Sequence, residues 1–305
     1  MGAYELVQRL ERLRKQINLI SVIMGGLFVL IAILIFGTGI WGSLTPRKHM
    51  FLTWNINGIV TLAVPVFIVF IFLLSKKRNE FKQLYKGTFV NEVLGEFFEN
   101  PMYMWDRGFE SRRVAGFGLT MMGNMFSSED YLQAVYKGVR FEQADVNVKY
   151  KTSGKNSHTT TYFSGRMFVF EFPKHELLPV QVFDENFRYR AKPIERFKMK
   201  KINMESVGFN KCFDVKAARD QDAFYILTPQ MMEKIMELKR KYRSVIFNFS
   251  SGVLYLGIEC GMGAFDSDMR KPINYAEEKD KMRDDVKVII DIIDTMNLIQ
   301  ETVAP

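Results

Sequence analysis

Residues able to carry chemistry are sparse in this chain and poorly spaced for it. The three histidines, His49, His158 and His175, are too scattered for a His-Glu-x-x-His pair or a three-ligand zinc site. Cys212 and Cys260 lack Cys-x-x-Cys spacing and read as two reduced, inert thiols. No Gly-x-Ser-x-Gly elbow exists. Ser164-Gly165-Arg166 sits in a strand-like stretch and reads as a point of close packing. Gly154-Lys155 suggests a phosphate loop, but Lys149 stands where glycine is required and Asn156 where Ser or Thr is required. Asp266-Ser267-Asp268 lacks the glycine and terminal glutamate of a calcium loop. The residues therefore assign no catalytic, cofactor-binding or metal-ligating position, and no cofactor is expected.

Two stretches remain as binding candidates. Thr152–Thr161 is a long, hydrogen-bond-rich polar loop, and such loops carry binding, although a plain hairpin connection explains it as well. Residues 102–128 combine Gly116, Gly118 and Gly123 with Met121, Met122 and Met125. The spacing misses the dinucleotide fingerprint, while methionine packs adaptably at partner surfaces. The plain alternative is a loop packed on the core.

The elements that position these residues hang from one apolar region. No Asp, Glu, Lys or Arg lies between Lys15 and Arg47, nor between Lys48 and Lys76. A helix needs about 20 apolar residues to cross a bilayer, so residues 17–75 read as a transmembrane helical hairpin with Trp41 and Trp54 at its turn. Arg9, Arg12, Arg14 and Lys15 precede it, and Lys76, Lys77, Arg78, Lys82 and Lys86 follow it. The turn has only Arg47 and Lys48. The positive-inside rule then places both termini in the cytoplasm and the protein in the inner membrane as a two-pass chain. The apolar run is too long for a cleaved leader, and the spans lack the ionisable residues that mark transport paths.

Residues 1–16 carry Leu6, Leu10 and Leu13 in a stripe continued by Ile17, which reads as an amphipathic lead-in lying on the inner headgroups. Residues 76–100 read as a juxtamembrane helix with Phe81, Leu84, Tyr85, Phe89, Val93 and Phe97 on one side, ended by Pro101. Of the net charge of +8, half belongs to residues 1–75, where anionic headgroups favour it. The remainder is not a dedicated nucleic-acid face, so no nucleic-acid partner is expected.

Residues 101–305 read as one cytoplasmic α+β domain with a largely antiparallel sheet and flanking helices. Alternation at period two predicts a hairpin over Tyr131–Phe141 turning at Lys137-Gly138, and a strand over Thr160–Phe172. Further strands are predicted over Gln181–Phe183, Phe197–Asn203 and Phe224–Leu227, with a hairpin over Val245–Glu259. Thr228-Pro229 opens a helix as N-cap and first-turn proline. The last helix covers Tyr275–Asn297, with Asp284, Asp285, Asp291 and Asp294 read as a solvated face.

With these residues in place, the chain resembles a bacterial two-span membrane-protein family known only as a domain of unknown function. Its members are found alongside LemA-type proteins and are sometimes labelled galanin-like. The likeness is carried by Ser128-Glu129-Asp130-Tyr131, Phe163-Ser164-Gly165, Glu205-Ser206 with Phe209, Phe213-Asp214-Val215 and Asp222-Ala223-Phe224-Tyr225-Ile226-Leu227-Thr228-Pro229. It covers about residues 17–298 and brings no catalytic residues. The reading is a membrane-anchored scaffold or adaptor domain, with the lipid bilayer and a protein partner (a LemA-type protein or a second copy) expected. The alternatives are a domain that reads lipid or the membrane surface, and an unrecognised enzyme.

Overall fold

The computed structural model describes residues 2–44, 49–154, 156–171, 178–192, 197–260, 263–296 and 298. Side chains of residues 3, 37–44, 49–57, 59, 60 and 62 lie outside that description. The chain is α+β, with a long apolar N-terminal helix and a large antiparallel sheet flanked by helices. It forms two compact units: residues 1–87 with 267–278, and residues 88–266 with 279–305.

In the first unit, α1 (Ala3–Leu44) and α2 (His49–Tyr85) lie side by side in opposite directions. Arg9 meets Glu80 at 3.9 Å, and Phe28 packs edge-on to Phe67. The segment Tyr4–Phe36 is long and apolar enough to cross a membrane, with a mean hydropathy of 3.0 in a window that is 0% buried. Of the second expected span, the side chains of residues 49–57, 59, 60 and 62 lie outside the described residues, as do those of both turn tryptophans, while Val64, Ile68, Ile71 and Phe72 are exposed. The lead-in departs from expectation. Leu6, Leu10, Leu13 and Ile17 are buried, as are Leu74, Phe81 and Tyr85 of α2, and Ile273 N–H donates to Glu11 at 3.4 Å. The stripe is therefore satisfied within the protein and is not free to lie on headgroups, since apolar surface is buried wherever a complementary apolar surface is within reach.

A π-helical turn, Lys86–Val90, follows α2. The second unit continues with α3 (Asn91–Phe97), β1 (Glu99–Met104), α4 (Ser111–Gly116), β2 (Met125–Tyr136), β3 (Val139–Lys151), β4 (Thr159–Glu171), β5 (Val180–Asp184) and β6 (Lys200–Ile202). Then come α5 (Val207–Asn210), β7 (Phe213–Ala217), α6 (Asp220–Ile226), α7 (Pro229–Lys241), β8 (Val245–Ser250), β9 (Val253–Glu259) and α8 (Tyr275–Met296). The strands form one nine-stranded sheet in the order β1-β2-β3-β4-β9-β8-β5-β7-β6. The expected turns hold: Lys137 and Gly138, then Ser251 and Gly252, all have positive φ, the backbone that two-residue hairpins require. Thr228 caps α7 through a bond from Met231 N–H at 3.3 Å.

Two expectations fail. Of Phe224–Leu227, predicted as a strand, the first three residues end helix α6 and Leu227 caps it; Asp220 and Asp222 at its first turn favour the helix N-terminus and outweigh the β-propensity of four residues. Pro101 does not stop the juxtamembrane helix, which ends at Phe97. It lies inside β1, at the sheet edge, where the register shifts between Glu99 and Met102 and a missing N–H is tolerated. Strands β1 and β7 were not predicted at all.

Alternation along β3 divides the core in two. Ala144, Val146 and Val148 share a cluster with Phe109, Val114, Phe117, Phe163 and Met167, so the segment around α4 covers that face. Phe141, Gln143 and Asp145 point to the other face. There the buried residues of α7 and α8 pack, held by Lys239 to Asp184 at 2.8 Å. Gln181 and Asn248, buried on the α4 side, donate to Gly118 O and Phe117 O at 2.7 and 2.8 Å.

Gly165 of β4 shows why a side chain is absent there: a Cβ would meet Ile258 O at 2.0 Å. Gly165→Ala is expected to destabilise the protein by more than about 2 kcal/mol. Gly95 in α3 has nothing within 4 Å of such a Cβ, and Gly95→Ala is expected to stabilise by about 0.5–1 kcal/mol. Thermal melts of the two variants check both signs.

Candidate functional site

One cluster of buried charge in the second unit is centred on Arg166. Residue 166 follows Gly165 on β4, and the alternation turns its side chain to the α8 face. There Arg166 Nη1 donates to Asp285 O at 3.1 Å and Nη2 to the Asp285 carboxylate. Its Nε lies 4.0 Å from Asp145 Oδ1 of neighbouring β3. Arg166 is only 6% exposed. Burial alone would lower the affinity of the guanidinium for its proton, but Asp285 and Asp145 outweigh that and raise it.

The same carboxylates hold the segment after β9. Ala264 N–H donates to Asp145 Oδ2 at 2.5 Å and Phe265 N–H to Asp285 Oδ2 at 3.0 Å. Phe265 has φ of 56°, and its ring packs edge-on to Tyr103 of β1 at 5.6 Å. A Cβ on Gly263 would meet Asp266 Oδ2 at 2.5 Å and Asp145 Oδ2 at 3.0 Å, so two carboxylates occupy the space a side chain would need there. Tyr103 donates in turn to Asp130, a fully buried residue with φ of 59° at the bulge where β2 slips against β3. Burial first, and then Asp130, push the Tyr103 phenol up, so it remains a donor.

Beside this cluster is a cleft of about 160 Å³ lined by Ser128, Glu129, Asp145, Asn147, Ser164 and Cys260 among others. Its lining offers carboxylate, carboxamide and hydroxyl oxygens, which suits hydrogen-bond donors. Burial pushes the Cys260 thiol up, only partly offset by Arg166, so the thiol is held protonated and is a poor nucleophile. Among the described residues no group of three or more His, Cys, Asp or Glu side chains could hold a metal ion. The carboxylates here bind backbone N–H groups and a buried guanidinium. The geometry locks a loop and a helix onto the sheet.

Several sequence candidates fall into place. Ser164-Gly165-Arg166 is a close-packing point as expected, yet Arg166 also carries the ion cluster. Asp285 is not on a solvated face but turned inward. Asp284 and Asp294, by contrast, pair at the surface with Lys287 and Lys137. Cys212 and Cys260 are both free. The loop after Lys151 is a closed hairpin connection, with Thr152 and His158 bonded through N–H, C=O and hydroxyl groups at 2.9 to 3.3 Å. His175 and the His49 side chain lie outside the described residues. Tyr103, Asp130 and Asp145 were missed, although Asp145 could have been noticed as a charge inside an otherwise apolar strand.

Residues 161–298 match the family model described as "Protein of unknown function (DUF3137)". No curated protein matches the chain. Among solved structures, the chain is similar to the crystal structure of the mycobacterial trehalose monomycolate transport factor A, TtfA. The TM-score is 0.37 at 7% identity, over 71% of this chain and 97% of that one, a level that carries no argument about function.

Removing one member of a buried charge set strands the others. Arg166→Met is therefore expected to cost about 3–5 kcal/mol. Adding Asp285→Asn in the same chain should recover part of that loss, giving a clear departure from additivity. Chemical denaturation of the two single variants and the double variant checks it; additive losses would show that the pair is not coupled.

Proposed function

We propose that this chain is a membrane-anchored binding domain acting as a scaffold or adaptor at a bacterial inner membrane. The observation that carries the proposal is the apolar length of α1, exposed throughout its most apolar window, joined to a folded nine-stranded unit. An exposed apolar surface of that length is unfavourable in water and favourable in hydrocarbon. On this reading residues 17–75 form two spans, residues 76–100 a juxtamembrane helix and residues 101–305 a cytoplasmic domain, with both termini inside. The charge-free run between Lys48 and Lys76 and the basic flanks support the second span and the orientation.

A binding role is favoured over an enzyme, the alternative, because the buried cluster of titratable groups around Arg166 is occupied with structure: Arg166, Asp145 and Asp285 hold one another and the backbone of residues 264 and 265. A domain of this kind acts by what it holds. A LemA-type protein, named by the family resemblance, and a second copy of this chain are the first partners to test.

Extraction in a mild detergent followed by mass spectrometry is expected to recover a stoichiometric partner. Repeated isolation of the chain alone as a monomer would remove the scaffold reading. A periplasm-activated reporter fused after Pro305 is expected to stay silent, and a signal from it would reverse the orientation.

A further inference from the structure

Three segments bring positive charge to one place in the second unit. Residues 111–128, 147–162 and 186–192 together contain eight Lys/Arg and no Asp or Glu. The fold joins them. Met121 N–H donates to Tyr189 O at 2.8 Å and Ala191 N–H to Leu119 O at 3.3 Å. The Asn124 carboxamide exchanges two bonds of 2.8 Å with the backbone of Lys151. Tyr150 stacks on Tyr162 at 5.9 Å and Tyr162 on Tyr189 at 4.6 Å, so rings from β3, β4 and the segment after β5 form one ladder. Tyr162 and Tyr189 pack against the α4-side cluster, which puts this ladder on the face of the sheet opposite Asp145 and Arg166.

Of the seven that lie on described residues, Arg113 pairs with Glu142 and Arg190 with Asp214. Lys151, Arg188 and Lys192 are exposed, and among the described residues none of these three has an ion-pair partner. Lys192 lines a groove of about 600 Å³ together with Gly116, Gly118, Met121 and Met122, and Lys151 and Arg188 belong to segments bonded to the chain at residues 124 and 121. Its floor is small and thioether-rich, able to adapt to an apolar side chain, and Lys192 brings a positive charge to it.

We propose that this surface binds an acidic, partly apolar segment of a partner protein. Its apolar side chains enter the methionine groove and its carboxylates meet Lys151, Arg188 and Lys192. The proposal rests on the reading of the chain as a protein-binding domain and says where that binding takes place. A protein segment fits better than single-stranded nucleic acid, because the tyrosines stack on one another and leave few ring faces for bases. It fits better than a lipid surface because the apolar component is recessed in a groove, whereas insertion needs it to protrude.

The test uses the full chain in neutral-lipid nanodiscs and a short fluorescent peptide of alternating Glu and Leu. Wild type is expected to bind it, and binding should weaken as salt rises from about 50 to about 300 mM. The triple variant K151E/R188E/K192E should bind at least about tenfold more weakly with an unchanged melting temperature, and K151Q/K192Q should fall between. Undiminished binding by the triple variant overturns the proposal, as does tighter binding of a poly-dT oligonucleotide or of phosphatidylglycerol vesicles than of the peptide. A triple variant that still extracts with the stoichiometric partner of the wild type would overturn this surface and leave the binding-domain reading standing. Failure of the wild type to extract with any partner would count against that reading itself.

Discussion

Arg166 is a cation held almost wholly out of solvent, and the carboxylates around it tie neighbouring parts of the second unit together. A buried guanidinium is tolerable only with acceptors placed to meet it. Asp285 brings helix α8 to the strand, Asp145 brings β3, and both acids also take backbone N–H groups from residues 264 and 265. The apolar contacts of α8 through Val286, Ile289 and Ile293 provide most of the burial, but burial is indifferent to small slips of a helix along a sheet. The charge set is not indifferent. It specifies one position of α8 and one path for the loop, which is the best-attested use of a costly polar group in a core.

The two faces of the sheet then differ in kind. On the α8 side the charges are paired and internal, and the cleft beside them is lined by oxygen acceptors. On the α4 side buried polar groups include the carboxamides of Gln181 and Asn248, which bind main-chain carbonyls at residues 118 and 117 and so hold the covering loop against the sheet. Gly118 has φ of 67°, and a Cβ there would meet Asn248 Nδ2 at 2.9 Å. The cationic side chains beyond this loop face solvent.

Much of this fold was legible in the sequence, for physical reasons that can be named. The hairpin turns at Lys137-Gly138 and Ser251-Gly252 announce themselves because positive φ is demanded of particular residue types. Helices α7 and α8 follow from a cap, a proline and an apolar period, and all three signals are local. Strands β1 and β7 were not legible. β1 contains a proline and a register shift, and β7 is five residues lying between β5 and β6, with no turn signal joining it to either. The segment 222–227 reads as a strand by residue type, and only its acidic first turn argues for a helix. The site was the least legible part. Arg166 and Asp285 are 119 residues apart, and nothing in the local pattern of either marks it as the other's partner.

The sheet is open, and its two outermost strands have different ways of remaining single. β1 carries Pro101 and an irregular register, so one of its backbone positions has no N–H to offer. β6 is three residues long and includes Lys200 and Lys201. On the proposed membrane-anchored reading this has a population-level consequence. Tethering confines copies to a thin layer, raising their local concentration and giving them a common orientation, conditions under which exposed strands recruit one another. Neither border of this sheet offers a long, flat template, so neighbouring copies can crowd together without their sheets merging into a continuous ribbon.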